Sequence, residues 1–112
     1  MSEGKIRAII KRPDEEFGHV TNISPSLENL QRTVDGYIET VTIPGVPGND
    51  TNDDVVIICN EEGRLKGMPE NCCIDGIDFV GTIAVVGAGY EDFVDCPISF
   101  DTWKNLVRLG RV

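Results

Sequence analysis

Cations, histidine and catalytic pairings are what this sequence has little of. Against nineteen acids it sets ten Lys and Arg and a single His, for a formal net charge of −9. Nucleic-acid binding draws its affinity from Lys and Arg displacing counterions from phosphates, so so acidic a surface argues against direct DNA or RNA contact. His19 has no Ser or Cys near it in sequence, which leaves no evident nucleophile–base pair. The four Cys stand at 59, 72, 73 and 96 with no Cys-x-x-Cys spacing. Neighbouring Cys72 and Cys73 cannot both face one tetrahedral ion without unusual backbone geometry. Reduced thiols, no metal and no cofactor are therefore expected. Apolar runs of the roughly 18 residues a membrane span needs are also missing. Met1-Ser2-Glu3-Gly4-Lys5 lacks a signal peptide's apolar core. Secreted, membrane, collagen-like and coiled-coil classes are set aside on these grounds.

What is present fits one domain over residues 1–112, with 40% hydrophobic residues to build a core. Twelve Gly and six Pro favour short strands over a helical bundle. Lys5 to Arg12 alternates, with Ile6, Ala8 and Ile10 on one side and Lys5, Arg7 and Ile9 on the other. That predicts a half-buried strand stopped by Pro13, with 17–23 as its extended return. Ser24 and Pro25 are expected to open a helix as N-cap and first residue. Leu27, Leu30 and Val34 form its apolar stripe and Gly36 its stop. Tyr37 to Ile43 alternates as a strand, and Pro44 to Asp54 is a long, turn-rich loop.

Val55 to Cys59 is a continuous apolar run, the mark of a central strand covered on both faces. Asn60-Glu61-Glu62-Gly63 reads as a hairpin turn into a return strand Arg64 to Met68. Glu70 to Asp78 reads as loop, Phe79 to Val86 as a second buried strand, and Tyr90 to Val94 as its return. Ser99 caps a last helix that turns Phe100, Trp103, Leu106 and Val107 inward. Strands that cluster instead of alternating with helices predict an α+β fold: a small antiparallel or mixed sheet with two helices on one side.

Gly87-Ala88-Gly89 follows a strand but lacks the third Gly of a dinucleotide fingerprint, and Asp92 would repel a pyrophosphate there. The acid pairs at 53–54, 61–62 and 91–92 lie in predicted turns, where nothing shifts a pKa towards catalysis. No enzyme is expected. Two groups of residues are candidates for ligand binding. Tyr37 and Glu39 share the polar face of their strand, and Asn60 and Asn71 would join them at one end of the sheet. Such donors and acceptors suit a small polar ligand or a peptide edge. Asn60 and Asn71 equally suit side-chain-to-backbone turn bonds. The second group lies at the ends. Residues 1–12 hold Lys5, Arg7, Lys11 and Arg12 against Glu3, and residues 102–112 hold Lys104, Arg108 and Arg111 with no acid. If first strand and last helix meet, Arg7, Lys11 and Arg108 would gather a basic patch for a small anionic ligand. The alternative is that each cation pairs with a nearby acid.

Gly36-Tyr37-Ile38-Glu39, then Asn60-Glu61-Glu62-Gly63-Arg64-Leu65-Lys66-Gly67-Met68-Pro69-Glu70-Asn71, then Gly81-Thr82-Ile83-Ala84-Val85-Val86-Gly87 occur in this order. Together they resemble a family of small phage and mobile-element proteins catalogued as a domain of unknown function. Cys72-Cys73 stands where that family has a basic and then a small residue, and the 44–54 loop is longer than its typical one. The resemblance implies a phage or prophage accessory protein in a bacterial cytoplasm, and it brings no activity with it. Three readings follow. One is a non-catalytic protein that counters host defence by binding, sequestering a small nucleotide-like signal or blocking a host defence protein. Another is an acidic DNA-mimic decoy that occupies a basic host protein. The third is a structural or regulatory phage protein. A homo-oligomer is compatible with each.

Overall fold

The first strand is covered on both faces, not one, and this sets the architecture. The computed structural model describes residues 4–110. In chain order the elements are β1 Ile6–Lys11, β2 His19–Ile23, α1 Leu27–Val34, β3 Ile38–Ile43, β4 Asp54–Asn60, β5 Glu70–Ile74, β6 Ile77–Val80, β7 Ile83–Ala88, β8 Phe93–Val94 and α2 Phe100–Leu109. The main sheet runs β2-β1-β7-β4-β3, with β8 also on β7, and every pairing is antiparallel. β5 and β6 form a separate two-stranded sheet. The fold class is α+β.

Period-two alternation divides the main strands between two cores. Ile6, Ala8 and Ile10 join Val56, Ile58, Ala84 and Val86 beneath Leu30 and Val34 of α1. Ile9, Val55, Ile57, Ile83 and Val85 face the other way, towards Trp103 and Val107 of α2. The two helices therefore lie on opposite faces of the sheet, where one shared side was expected. Val55 to Cys59 reads as a continuous apolar run because successive residues enter different cores. Ile57 and Val85 are fully buried, as predicted.

Local chemistry sets the element ends. Ser26, not Ser24, caps α1: its Oγ accepts the Asn29 N–H at 3.2 Å. Leu27 consequently sits at the exposed start of the helix, and only Leu30 and Val34 of the expected stripe are buried. Ser99 caps α2 as expected. Residues 61–67 form compact turns, where a return strand was expected. The 70–78 stretch expected to be loop carries β5 and the start of β6, joined at Asp75 (φ 54°) and Gly76 (φ 78°). Two successive positive φ values are those of the tightest hairpin turn, which an Asp-Gly pair favours. The expected strand from Phe79 to Val86 breaks at Gly81 (φ 72°), where the chain leaves the small sheet for the main one. Gly18 (φ 88°) is required by contact as well as by φ, since a Cβ there would run into the Ile10 carbonyl and lie 2.9 Å from Lys11 Cα.

The turn between β1 and β2 is pinned by Glu15. The Arg12 N–H donates to Glu15 Oε1 at 2.8 Å, and His19 Nδ1 lies 3.1 Å from Oε2. The Arg12 bond, with His19 beside it, holds the Glu15 carboxyl below its ordinary 4.5. A carboxyl lowered in the folded state stabilises fully above its unfolded pKa, and that stability is lost as pH falls through the folded one. Glu15→Gln is therefore expected to cost under about 1 kcal/mol at neutral pH. It should cost nothing once acid has protonated both states, a difference that urea unfolding at the two pH values measures.

Candidate functional site

The candidate residues divide into latches and an open groove. Asn60, at the end of β4 and 5% exposed, donates from Nδ2 to the Val34 and Asp35 carbonyls, both at 3.0 Å. Its Oδ1 accepts the Glu62 N–H at 2.7 Å. One amide thus serves the orphan carbonyls at the end of α1 and starts the 61–65 turn. Asn71 in β5 donates from Nδ2 to the Lys11 and Gly81 carbonyls, each at 2.8 Å, tying the small sheet to β1. The two asparagines share no partner, and both do the backbone-bonding work weighed as their alternative role.

The cations at the chain ends do not converge on an anion site among the described residues; Arg111 lies outside them. Lys11 is 1% exposed, a correction to its expected place on a solvent face. Its position continues the Arg7–Ile9 face, which the α2 layer covers. Its Nζ lies 3.4 Å from the Asn71 carbonyl and 3.5 Å from that of Arg12. Arg7 donates its guanidinium to the Cys96 and Ile98 carbonyls just before α2, while its backbone N–H donates to Asp95 at 2.8 Å. Arg108 stands near the far end of α2, eight residues and roughly 12 Å of helix rise beyond Phe100. There its guanidinium lies 4.9 Å from the Phe17 ring centroid. Lys104 pairs with Asp101 at 3.6 Å and Arg12 with Glu15 at 3.9 Å.

Glu39 lies on the face of β3 turned towards the α2 layer, and Tyr37 stands just ahead of the strand, its carbonyl accepting the Glu61 N–H at 2.8 Å. Beside Glu39 lies a groove of about 420 Å³. Glu39, Val41 and Cys59 make its floor, with Glu39 opposite Cys59 in the β3–β4 ladder. Gly63, Arg64 and Leu65 form one wall and β6 the other. Arg64 Nη2 donates to the Asp78 carbonyl at 2.6 Å and holds the walls together. Leu65 is 88% exposed, Tyr37 67% and Ile77 38%. The ionic side chains at the groove are Glu39, Glu61 and Asp78 against Arg64.

Chemistry at this groove is limited by its one thiol. Burial, with Glu39 nearby, pushes Cys59 up to about 11, so it stays a protonated thiol at neutral pH. His19 lies on β2, the opposite edge of the sheet. Among the described residues no three His, Cys, Asp or Glu side chains gather where an ion could sit. No described helix is long and apolar enough to cross a membrane. Cys96 is also buried, and burial raises its pKa too. In native protein at neutral pH, Cys59 and Cys96 are expected to react with a thiol reagent at least about a hundredfold more slowly than in denaturant. Mass spectrometry of the labelled peptides measures this.

A three-layer antiparallel α+β fold with an open, acid-edged groove is the class these observations define. The chain belongs to the family described as "Domain of unknown function (DUF3846)", whose profile matches residues 6–107. No curated protein and no solved structure matches it. The match bears out the resemblance to an uncharacterised family. Several motif residues that carried the resemblance are structural. Asn60 and Asn71 are the latches, a Cβ on Gly36 would lie 2.6 Å from Asn60 Nδ2, and one on Gly63 would lie 2.8 Å from Val80. Leu65 and Ile77 were missed as site residues because their stretch reads as return strand and loop. Asp75-Gly76 was the signal that places β6 there.

Proposed function

We propose that this chain is a non-catalytic binding protein that engages another protein at the groove between β3, the 61–65 turn and β6. The observation that carries this is the position of its exposed apolar side chains. Of the seven large hydrophobic residues left exposed among the described residues, Leu65 and Ile77 both line this one groove. Exposed apolar groups collected in one place and rimmed by charge are characteristic of protein contact sites. A nucleotide-like ligand suits the groove less well, since a phosphate would meet three carboxylates and one guanidinium. The resemblance to phage and mobile-element proteins supplies the setting: an accessory factor in a bacterial cytoplasm that blocks a host defence protein.

The test uses the intact chain and a Leu65→Asp/Ile77→Asp variant as baits in bacterial extract, with circular dichroism confirming that both are folded. A protein retained by the wild type should be depleted at least about tenfold on the variant, a loss of about 1.4 kcal/mol or more. Equal retention by both baits overturns the groove as the contact site. Recovery of a small molecule in place of a protein returns the sequestration reading.

A further inference from the structure

We infer that the groove's occupant is an extended, Lys- or Arg-bearing segment of the partner that adds as a strand to the open edge of β3. This rests on the reading that the groove takes a protein, and it names the form and charge of what enters.

The backbone of β3 supplies the first half of the argument. β3 pairs with β4 alone and ends the main sheet. The Glu61 N–H donates to the Tyr37 carbonyl at 2.8 Å, so the Tyr37–Glu61 pair is a hydrogen-bonded one. The β3–β4 register then runs unbroken from Ile38↔Asn60 to Ile43↔Val55. Hydrogen-bonded and non-bonded pairs alternate along an antiparallel ladder. Glu39, Val41 and Ile43 therefore turn their backbone groups to β4, while Ile38, Thr40 and Thr42 turn theirs outward. Natural edges are guarded by Lys, Pro or a bulge. Ile38-Glu39-Thr40-Val41-Thr42-Ile43 has none of these, and its one charge, Glu39, would attract a cationic strand while repelling an acidic one. Its β-branched residues instead suit a further pairing.

Charge supplies the second half. In an added strand, every second side chain would point to the α2 side, over the groove and beside Glu39 and Val41. There it would meet Glu39, Glu61 and Asp78, three carboxylates against the one guanidinium of Arg64. Lys or Arg at those alternate positions would place its charge among the carboxylates and lay its methylenes along Leu65 and Ile77. The other edge strand, β2, borders a cleft whose charged lining is Arg12, His19 and Arg32, each paired with Glu15 or Glu28, so the groups that would guide a cation lie at the β3 edge.

A random dodecapeptide display library panned against the intact chain tests the inference. The expected pool is rich in Lys or Arg at alternate positions. A selected peptide should bind Thr40→Pro at least tenfold more weakly than wild type, because proline removes an outward N–H without touching the β4 ladder. In the wild type, amide hydrogen exchange at Ile38, Thr40 and Thr42 should slow when that peptide is added, a readout that does not depend on the variant folding. An acidic or uncharged pool, no enrichment, unchanged exchange, or equal binding to a folded Thr40→Pro chain overturns strand addition. None of those results bears on whether a protein occupies the groove, which the Leu65→Asp/Ile77→Asp bait decides separately.

Discussion

Trp103→Ala is expected to lower the unfolding free energy by about 3–5 kcal/mol, the upper range for truncating a buried aromatic. Trp103 is fully buried and lies in the core beneath α2 with Ile9, Ile57, Val85 and Val107. Its indole Nε1 also donates to the Phe17 carbonyl at 2.8 Å. The Phe17 ring in turn lies under Arg108 and Lys104 of the same helix. One side chain thus fastens the helix, the sheet and the 12–18 turn, and alanine would leave a cavity and remove the indole's hydrogen bond to Phe17. Folds of this size have only about 5–15 kcal/mol in total, so the variant should be largely unfolded at moderate urea. Trp103→Phe separates the two contributions: it keeps much of the packing and should lose about 1–2 kcal/mol, chiefly the hydrogen bond. A loss below about 2 kcal/mol for the alanine variant in equilibrium unfolding would contradict this account.

What could be read from sequence follows from what repeats locally. Val55 to Cys59 announced a central strand because a strand between two cores needs no polar face, and the structure divides its residues between the two. The last helix was legible to its cap, since Ser99 precedes an apolar stripe at helical spacing. Alternation in β1, by contrast, carries the period and not the cover. Arg7 and Lys11 occupy alternate positions like any solvent face, yet the chain leading into α2 holds Arg7 and β5 meets the buried Lys11. Those partners lie 89 and 91 positions from Arg7 and 60 from Lys11, separations that no local pattern encodes. The same limit explains the groove. Glu39 on the polar face of β3 followed from period two alone. Its opposite wall depends on a break at Gly81 and a turn at Asp75-Gly76, inside a stretch with little periodicity. At the first helix two serines flank Pro25, and only the geometry of the Asn29 N–H selects Ser26.

Asn60 is where the family motif and the energetics meet, and its replacement should be nearly as costly as that of Trp103. Asn60→Ala removes the donors to the Val34 and Asp35 carbonyls and the acceptor for the Glu62 N–H. At 5% exposure little water can replace them. A buried polar group stranded in this way costs about 1–3 kcal/mol; the bond to Val34 is buried and the other two partly so, and a net loss of about 2–3 kcal/mol is expected. Asn60→Asp sharpens the test, because it keeps the shape and exchanges the donating amide for a carboxylate facing two carbonyls. If Asn60 is a latch, the aspartate should destabilise at least as much as alanine at neutral pH. It should recover part of that loss in acid, where a protonated carboxyl can donate once. If Asn60 instead served mainly to read a ligand, both variants would unfold like wild type and fail only in binding. Urea unfolding of the two variants, compared at neutral and acidic pH, separates these outcomes. Stability unchanged in either variant at neutral pH would show that the 61–65 wall of the groove is held by something other than this amide.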